Sequence, residues 1–298
     1  MKLQSAMEYL MTYGWAILII AVVLGALFEL GIFNGSNLGP RAQPGSCHVF
    51  RPGGPGTNAN LNLAGVCNGE LPQYVAQFNG GPAILISPVS ENNGFPDGYT
   101  MTAWVNYASP VTVCGYALGM EDSSSQPRGG LVLSCNSEPQ PYGETINQTG
   151  YDVGAPPATK STLLFGQWYF IAVDWNASAQ SISFYLNGQI VGSPATDPIL
   201  PTTMVMKNTP YYVIGGQDTG GGYNGYEANA QMYNAALSSN DINALYQEGI
   251  GGAPIALQNL VGWWPLNGNA QDYSGNNNNG EATNVIFTGQ WASGYNPP

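Results

Sequence analysis

Carboxylates, hydroxyls, one histidine and four cysteines are the groups in this 298-residue chain that could do chemistry. Their spacing excludes most of it. A retaining glycosidase needs two carboxyl groups facing one bond across about 5 Å. Glu121 and Asp122 are adjacent, so on any strand they point to opposite faces. No single strand-like segment supplies a facing pair. The only histidine, His48, is next to Cys47, and no Gly-x-Ser-x-Gly elbow occurs, so nucleophilic hydrolysis lacks its parts. The expectation is a protein that is not an enzyme.

Two constellations point to binding instead. The run Asp272-Tyr273-Ser274-Gly275-Asn276-Asn277-Asn278 packs oxygen ligands into a glycine-containing loop, with Asn267 and Asn269 just upstream. Hard cations prefer oxygen donors, so Asp272, Asn276 and Asn267 are candidate ligands of a structural calcium, though the spacing is not that of an EF-hand. A metal-free Asn-Gly turn is the alternative. Tyr223 and Tyr226, in GGGYNGY, and Tyr142 and Tyr151 fall in loop-like stretches. Such rings can serve as platforms for sugars, or simply pack on the surface.

These groups must be carried by something, and residues 4–33 decide what. From Tyr9 to Phe28 there is no charge, with Glu8 before the run and Glu29 after it. A bilayer-spanning helix needs roughly 20 apolar residues. Lys2 before the run predicts an N-in, C-out orientation. A carboxylate at the edge of such a helix marks a functional position unless it lies at headgroup level. A plain signal anchor and a cleaved signal peptide both remain open, although Phe28-Glu29-Leu30-Gly31 is a poor cleavage site.

Behind this stretch the composition changes. Charged residues are 8%, with 18 acids against 6 bases and a net charge of −12. Nucleic-acid binding needs clustered Lys and Arg, so no nucleic-acid partner is expected. The cysteines, Cys47, Cys67, Cys114 and Cys135, are even in number, follow the apolar run and form no CxxC. On the outer side of a membrane they predict two disulfides, with Cys47–Cys67 and Cys114–Cys135 favoured because each closes a short loop. The sequons at Asn34, Asn147 and Asn176 are candidate glycosylation sites in that location.

Residues 34–72 predict a linker and a turn-rich, disulfide-closed cap; residues 73–298 predict one β domain. Short β-rich runs, YVAQFNG, AILISPV, TMTAWVNY, VTVCGYALGM and GLVLSCNS, follow one another from Tyr74. QWYFIAVDWN leads into SISFYLNGQIVGS, where Asn187-Gly188 is a strong hairpin signal. YYVIGG and YEANAQMYN read as further strands. One short helix is expected after Ser238, which can cap it with Asp241 three residues on, before Gly249 stops it.

Two resemblances sit on these motifs. Lys2-Leu3 followed by Gln4-Ser5-Ala6-Met7-Glu8 resembles the class III signal peptide of archaeal type IV pilins. That likeness implies cleavage before Gln4, with Glu8 as fifth residue of the mature chain pairing with a neighbour's amine in a filament. FNGGPAILISP, TMTAWVN, GQWYFIAVDWNASAQSISFYLNGQIVGS and MYNAALSSNDINALYQEG resemble, in order, the concanavalin A-like jelly roll of the laminin-G-like family. This implies a mainly β sandwich behind an N-terminal α-helix, and a possible structural calcium or glycan ligand. The Glu-x-Asp-x-x-Glu spacing of glucanases on that fold is absent. LVGWWPLNGNAQDYSGNNNNGEATNV looks like the segment that opens that family's domain, yet it closes this chain. Circular permutation with completion in cis, strand donation to a neighbour and the start of a second domain are the three readings.

The functional expectation is an adhesive surface protein: a pilin-like subunit that assembles with itself through its N-terminal helix and displays the β domain. The alternative is a signal-anchored lectin that never polymerises. Either places the chain at the membrane with its C-terminus outside, or in an extracellular filament, with cell-surface glycans as partners.

Overall fold

The computed structural model describes residues 18–23, 71–80, 84–86, 95, 97–109, 115–121, 127–133, 140–146, 152–155, 163–196, 211–216, 224–296 and 298. By its contacts the chain divides into two compact units, Met1–Gln43 with Leu61–Val66, and Pro44–Asn60 with Cys67–Pro298. In the first, residues 18–23 are helical and exposed. Among the described residues no helix is long and apolar enough to cross a membrane. Gln4, Glu8, Asn34, Asn147, Tyr151, Tyr223 and all four cysteines lie outside the described residues.

The second unit is a sandwich of antiparallel strands. In chain order they are β1 (Val75–Asn79), β2 (Ile84–Ile86), β3 (Gly98–Tyr107), β4 (Gly115–Glu121), β5 (Pro127–Leu133), β6 (Tyr142–Ile146), β7 (Asp152–Ala155) and β8 (Trp168–Asn176). Then come β9 (Ser181–Leu186), β10 (Gln189–Ile190), β11 (Ala195–Thr196), β12 (Tyr211–Gly216), β13 (Asn224–Tyr233), β14 (Leu260–Trp264), β15 (Glu281–Ala282) and β16 (Val285–Thr288). Among the described residues one sheet runs β10-β9-β8-β3-β13-β1-β16, with β11 on β9 and β14 on β13. The other runs β15-β2-β12-β4-β5-β6-β7.

The sequence alternation explains the layering. Met101, Ala103 and Val105 of β3 enter the core between the sheets, while Trp104 belongs to a second apolar cluster on the outer face. All ten residues of β3 are buried, so both faces of this strand are covered. The outer cover is helix α1 (Ser239–Gln247), whose Ile242 and Leu245 are buried against that cluster. Ser238 caps it through a reciprocal capping box with Asp241, and Gly249 follows its end at φ 80°. The expected hairpin is present: Asn187 (φ 48°) and Gly188 (φ 73°) join β9 to β10, the left-handed pair that a tight two-residue turn requires.

The C-terminal segment pairs within its own chain and supports both sheets. β14 pairs β13, β15 pairs β2 and β16 pairs β1. Trp264 and Leu266 are fully buried in the inter-sheet core. Trp264 Nε1 donates to the Asn278 carbonyl at 2.8 Å, and its ring meets Tyr212 edge-on. Trp291 and Tyr295 join the outer aromatic cluster, where Trp291 packs edge-on against Trp168.

Candidate functional site

The outer face of the second sheet carries a group of residues that no single strand reveals. Directly opposed residues on antiparallel strands share a face. Tyr211 opposes Glu121, and Val213 opposes Gly119. Gly119 opposes Gly130, which opposes Glu144, while Tyr116, Val132 and Tyr142 form another row. These rows lie opposite to Leu118, Met120, Leu131, Tyr212 and Ile214, which fill the core. Tyr116, Val132, Val213 and Tyr142 form an apolar cluster of their own.

Glycine floors this face for a steric reason. A Cβ on Gly119 would lie 2.4 Å from the Tyr116 ring, and one on Gly130 would lie 2.5 Å from the Leu118 carbonyl oxygen. With hydrogen in both places, the Tyr116 ring lies down on the sheet. Its hydroxyl donates to Glu144 Oε1. The Tyr211 hydroxyl donates to Glu121 Oε2 at 2.8 Å. From the core side, the Tyr99 hydroxyl donates to the Glu144 carbonyl at 2.8 Å. Burial, followed by the nearby charge of Glu144, holds the Tyr116 hydroxyl well above its ordinary pKa, so it stays a donor. Glu121 and Glu144 are buried, whereas Tyr142 and Tyr211 keep partly open edges.

Chemically, this is two half-buried phenol rings beside a buried Tyr116–Glu144 hydrogen bond, one of the rings held by a part-buried bond to Glu121. The rings can stack on the apolar face of a sugar, and the carboxylates fix the tyrosines that line the floor. Looking for two carboxylates on one strand set Glu121 aside beside Asp122 and passed over Glu144, so their shared face, built from β4 and β6, was not seen. In β6 the outward Tyr142 and Glu144, two residues apart, were a signal that could have been read; in β4 register shifts put Tyr116 and Glu121 on one face five residues apart, which no local period shows.

The other expected site residues fall elsewhere. The Tyr226 ring packs 6.4 Å from Trp168 on the helix-covered face of the first sheet. Asn176 accepts from Ser178 Oγ and from the Ala179 amide, each at 2.9 Å, in the turn after β8. Asp272 is committed to its own loop. Its Oδ1 accepts from the amides of Trp263 and Ser274, and its Oδ2 from Ser274 Oγ and the Asn278 amide. A carboxylate offers about four lone-pair sites, so these donors fill them. Asn276 turns its Nδ2 to the carbonyls of Leu260 and Val261, and Asn267 Oδ1 accepts from the Tyr74 amide. In this arrangement the three side chains do not offer a cation a shared set of open oxygens. Among the described residues no group of three or more His, Cys, Asp or Glu could hold a metal ion.

A family model described as Laminin_G_3, concanavalin A-like lectin/glucanases superfamily, matches residues 79–243. No curated protein matches the sequence. A protein from Bacteroides ovatus ATCC 8483, provisionally described as carbohydrate binding, is similar in fold at TM-score 0.53 and 16% identity. That match spans 73% of this chain and 60% of the other. Tailspike protein 2 of Escherichia coli O157:H7 bacteriophage CAB120 matches at TM-score 0.47 and 16% identity, over 67% of this chain and 29% of that one. A heptameric SAP-like pentraxin from Limulus polyphemus matches at TM-score 0.40 and 12% identity, over 59% and 76%.

Proposed function

The chain belongs to the concanavalin A-like lectin/glucanases superfamily, and on that premise we propose that it is a non-catalytic glycan-binding module acting outside the cell. One observation carries this reading. Tyr142 and Tyr211 stand half-open on the same sheet face as the buried pair Tyr116–Glu144, and Tyr211 is itself held by Glu121. Rings on a rigid floor lose little entropy on stacking against a sugar. The carbohydrate-binding description of the Bacteroides ovatus relative agrees with this reading. Affinity electrophoresis of the full chain through gels containing polysaccharides tests it. Retardation by at least one polysaccharide, lost in Tyr142→Ala, supports it. Absence of retardation across neutral and acidic polysaccharides overturns it.

The N-terminal likeness to archaeal type IV pilins supports a second proposal, a filament subunit that displays this module. Its elements are Gln4 as mature N-terminus and Glu8 as assembly residue. Mass spectrometry of the native N-terminus decides the cleavage, and loss of Glu8→Ala chains from filaments decides the assembly. We also propose that β14 stands in for the strand that opens the domain in its relatives, the chain having been permuted. The disulfide pairs Cys47–Cys67 and Cys114–Cys135 belong to the same proposal of an outside location.

A further inference from the structure

Asp174 of β8 lies on the helix-covered face, opposite Thr100 of β3 and Ser183 of β9. It is buried, with 7% of its surface exposed. The Thr100 hydroxyl stands at the centre of three contacts. Its oxygen is 3.0 Å from Asp174 Oδ1 and 2.9 Å from the Ala235 carbonyl, and it accepts from the Leu237 amide at 2.9 Å. Ser238, the N-cap of helix α1, follows immediately.

Counting hydrogens decides the protonation state. A threonine hydroxyl has one hydrogen and two lone pairs. If Asp174 is ionised, its Oδ1 and the Ala235 carbonyl compete for that one hydrogen, and one of these two contacts fails. A buried acceptor that loses its donor keeps its full desolvation penalty. If Asp174 is protonated, its O–H donates to Thr100 Oγ1, and the Thr100 hydrogen goes to Ala235. The Leu237 amide then fills the remaining lone pair, and every group in the relay is satisfied.

We propose that Asp174 is a proton-operated latch, which as the neutral acid closes the Thr100 relay onto Ala235 and Leu237 and seats the start of helix α1. Burial supports this by pushing the Asp174 carboxyl up to about 7, against the opposing pull of the Thr100 hydroxyl and the Leu237 amide beside it. The titratable groups coupled to it by charge are Tyr185, from β9 on the same face, and Tyr99, from β3 on the core side; Asp241 lies in the first turn of α1. None of the described side chains is a lysine, arginine or histidine, so no cation among them offsets its charge.

The sign follows from the raised pKa. The latch is fully closed below the unfolded carboxyl value of about 4 and is lost as pH rises toward about 7. Amide exchange of the full chain, corrected for intrinsic rate, tests this across residues 235–247. Protection should fall more than about tenfold between roughly pH 4 and pH 7.5, since one pKa unit is tenfold. In Asp174→Asn, whose amide can donate at every pH, the fall should disappear. A wild-type profile without the fall, or an Asn variant with the same fall, overturns the latch. Should that variant fail to fold, carbon-13 titration of the Asp174 carboxyl in the wild-type chain decides. A midpoint near 7 supports the latch, and one below about 5 overturns it.

Discussion

Tyr211 on β12 and Glu121 on β4 are direct register partners, and the phenol of one donates to the carboxylate of the other at 2.8 Å. The pair spans two strands 90 positions apart and holds a half-exposed ring at the edge of the glycine-floored face. Tyr211→Phe keeps the ring and removes the donor. Stability should fall by about 1–3 kcal/mol, the cost of an unmet hydrogen bond to a buried acceptor. Tyr142→Ala removes a stacking surface and leaves the Tyr211–Glu121 bond in place. Polysaccharide retardation measured beside thermal melting separates the two. Tyr142→Ala should lose binding while the chain still melts cooperatively. A normal retardation would remove Tyr142 from the binding face.

Glu227 is the second test. It opposes Ala76 and Val105, which lie in the inter-sheet core, and it is fully buried with both carboxyl oxygens lacking a hydrogen-bond partner. Burial alone holds its pKa well above 4.5. A raised carboxyl contributes stability that is fully present below its unfolded value, near 4.5, and is lost as pH rises toward the folded one. Glu227→Leu should therefore stabilise the chain by about 1–3 kcal/mol at neutral pH. The margin should widen as pH rises above about 4.5. Melting curves in an Asp174→Asn background isolate this effect. A less stable leucine variant would show that Glu227 has a partner.

The third prediction concerns where the domain ends. The family match stops at residue 243, but β14 to β16 lie beyond it and pair in both sheets. A chain ending at Gly252 should show no cooperative unfolding transition. Trp264→Ala in the full chain should cost about 3–5 kcal/mol, the usual penalty for emptying a buried tryptophan site. Cooperative melting of the truncated chain would show that the matched region folds alone.

Asp272 supplies the fourth. Its carboxylate ties the β14 amide of Trp263 to the loop that follows, through four donors. Asp272→Ala should lower stability by at least about 2 kcal/mol, since hydrogen bonds to charged groups are the strong ones. Calcium and chelator should leave the wild-type Tm unchanged, because the carboxylate is already filled. A calcium-induced rise that vanishes in Asp272→Ala would make Asp272 a ligand.

Local chemistry made much of the fold legible. The Asn187-Gly188 turn, the Ser238 capping box and the two-residue alternation of Met101, Ala103 and Val105 each depend on neighbours within a few positions, so they could be read directly. The covering of both faces of β3 could not, because it depends on helix α1 and on Trp291 and Tyr295 returning from the end of the chain.

What the sequence determined by itself was most of the long strands, the helix capped by Ser238, the acidic and cation-poor character, and the lack of a catalytic spacing along any strand-like segment. In the sequence β6, which carries Tyr142 and Glu144, and β7 read as loop. Tertiary structure alone decided the chemistry of the faces. Inter-strand register, set by the inner hydrophobic rows, brought Glu121 beside Tyr211 and Glu144 under Tyr116. The same register put Glu227 inside the core and Asp174 against Thr100. A carboxylate's role depends on the donors and dielectric around it. Those come from strands far apart in the chain, so no local pattern could announce them.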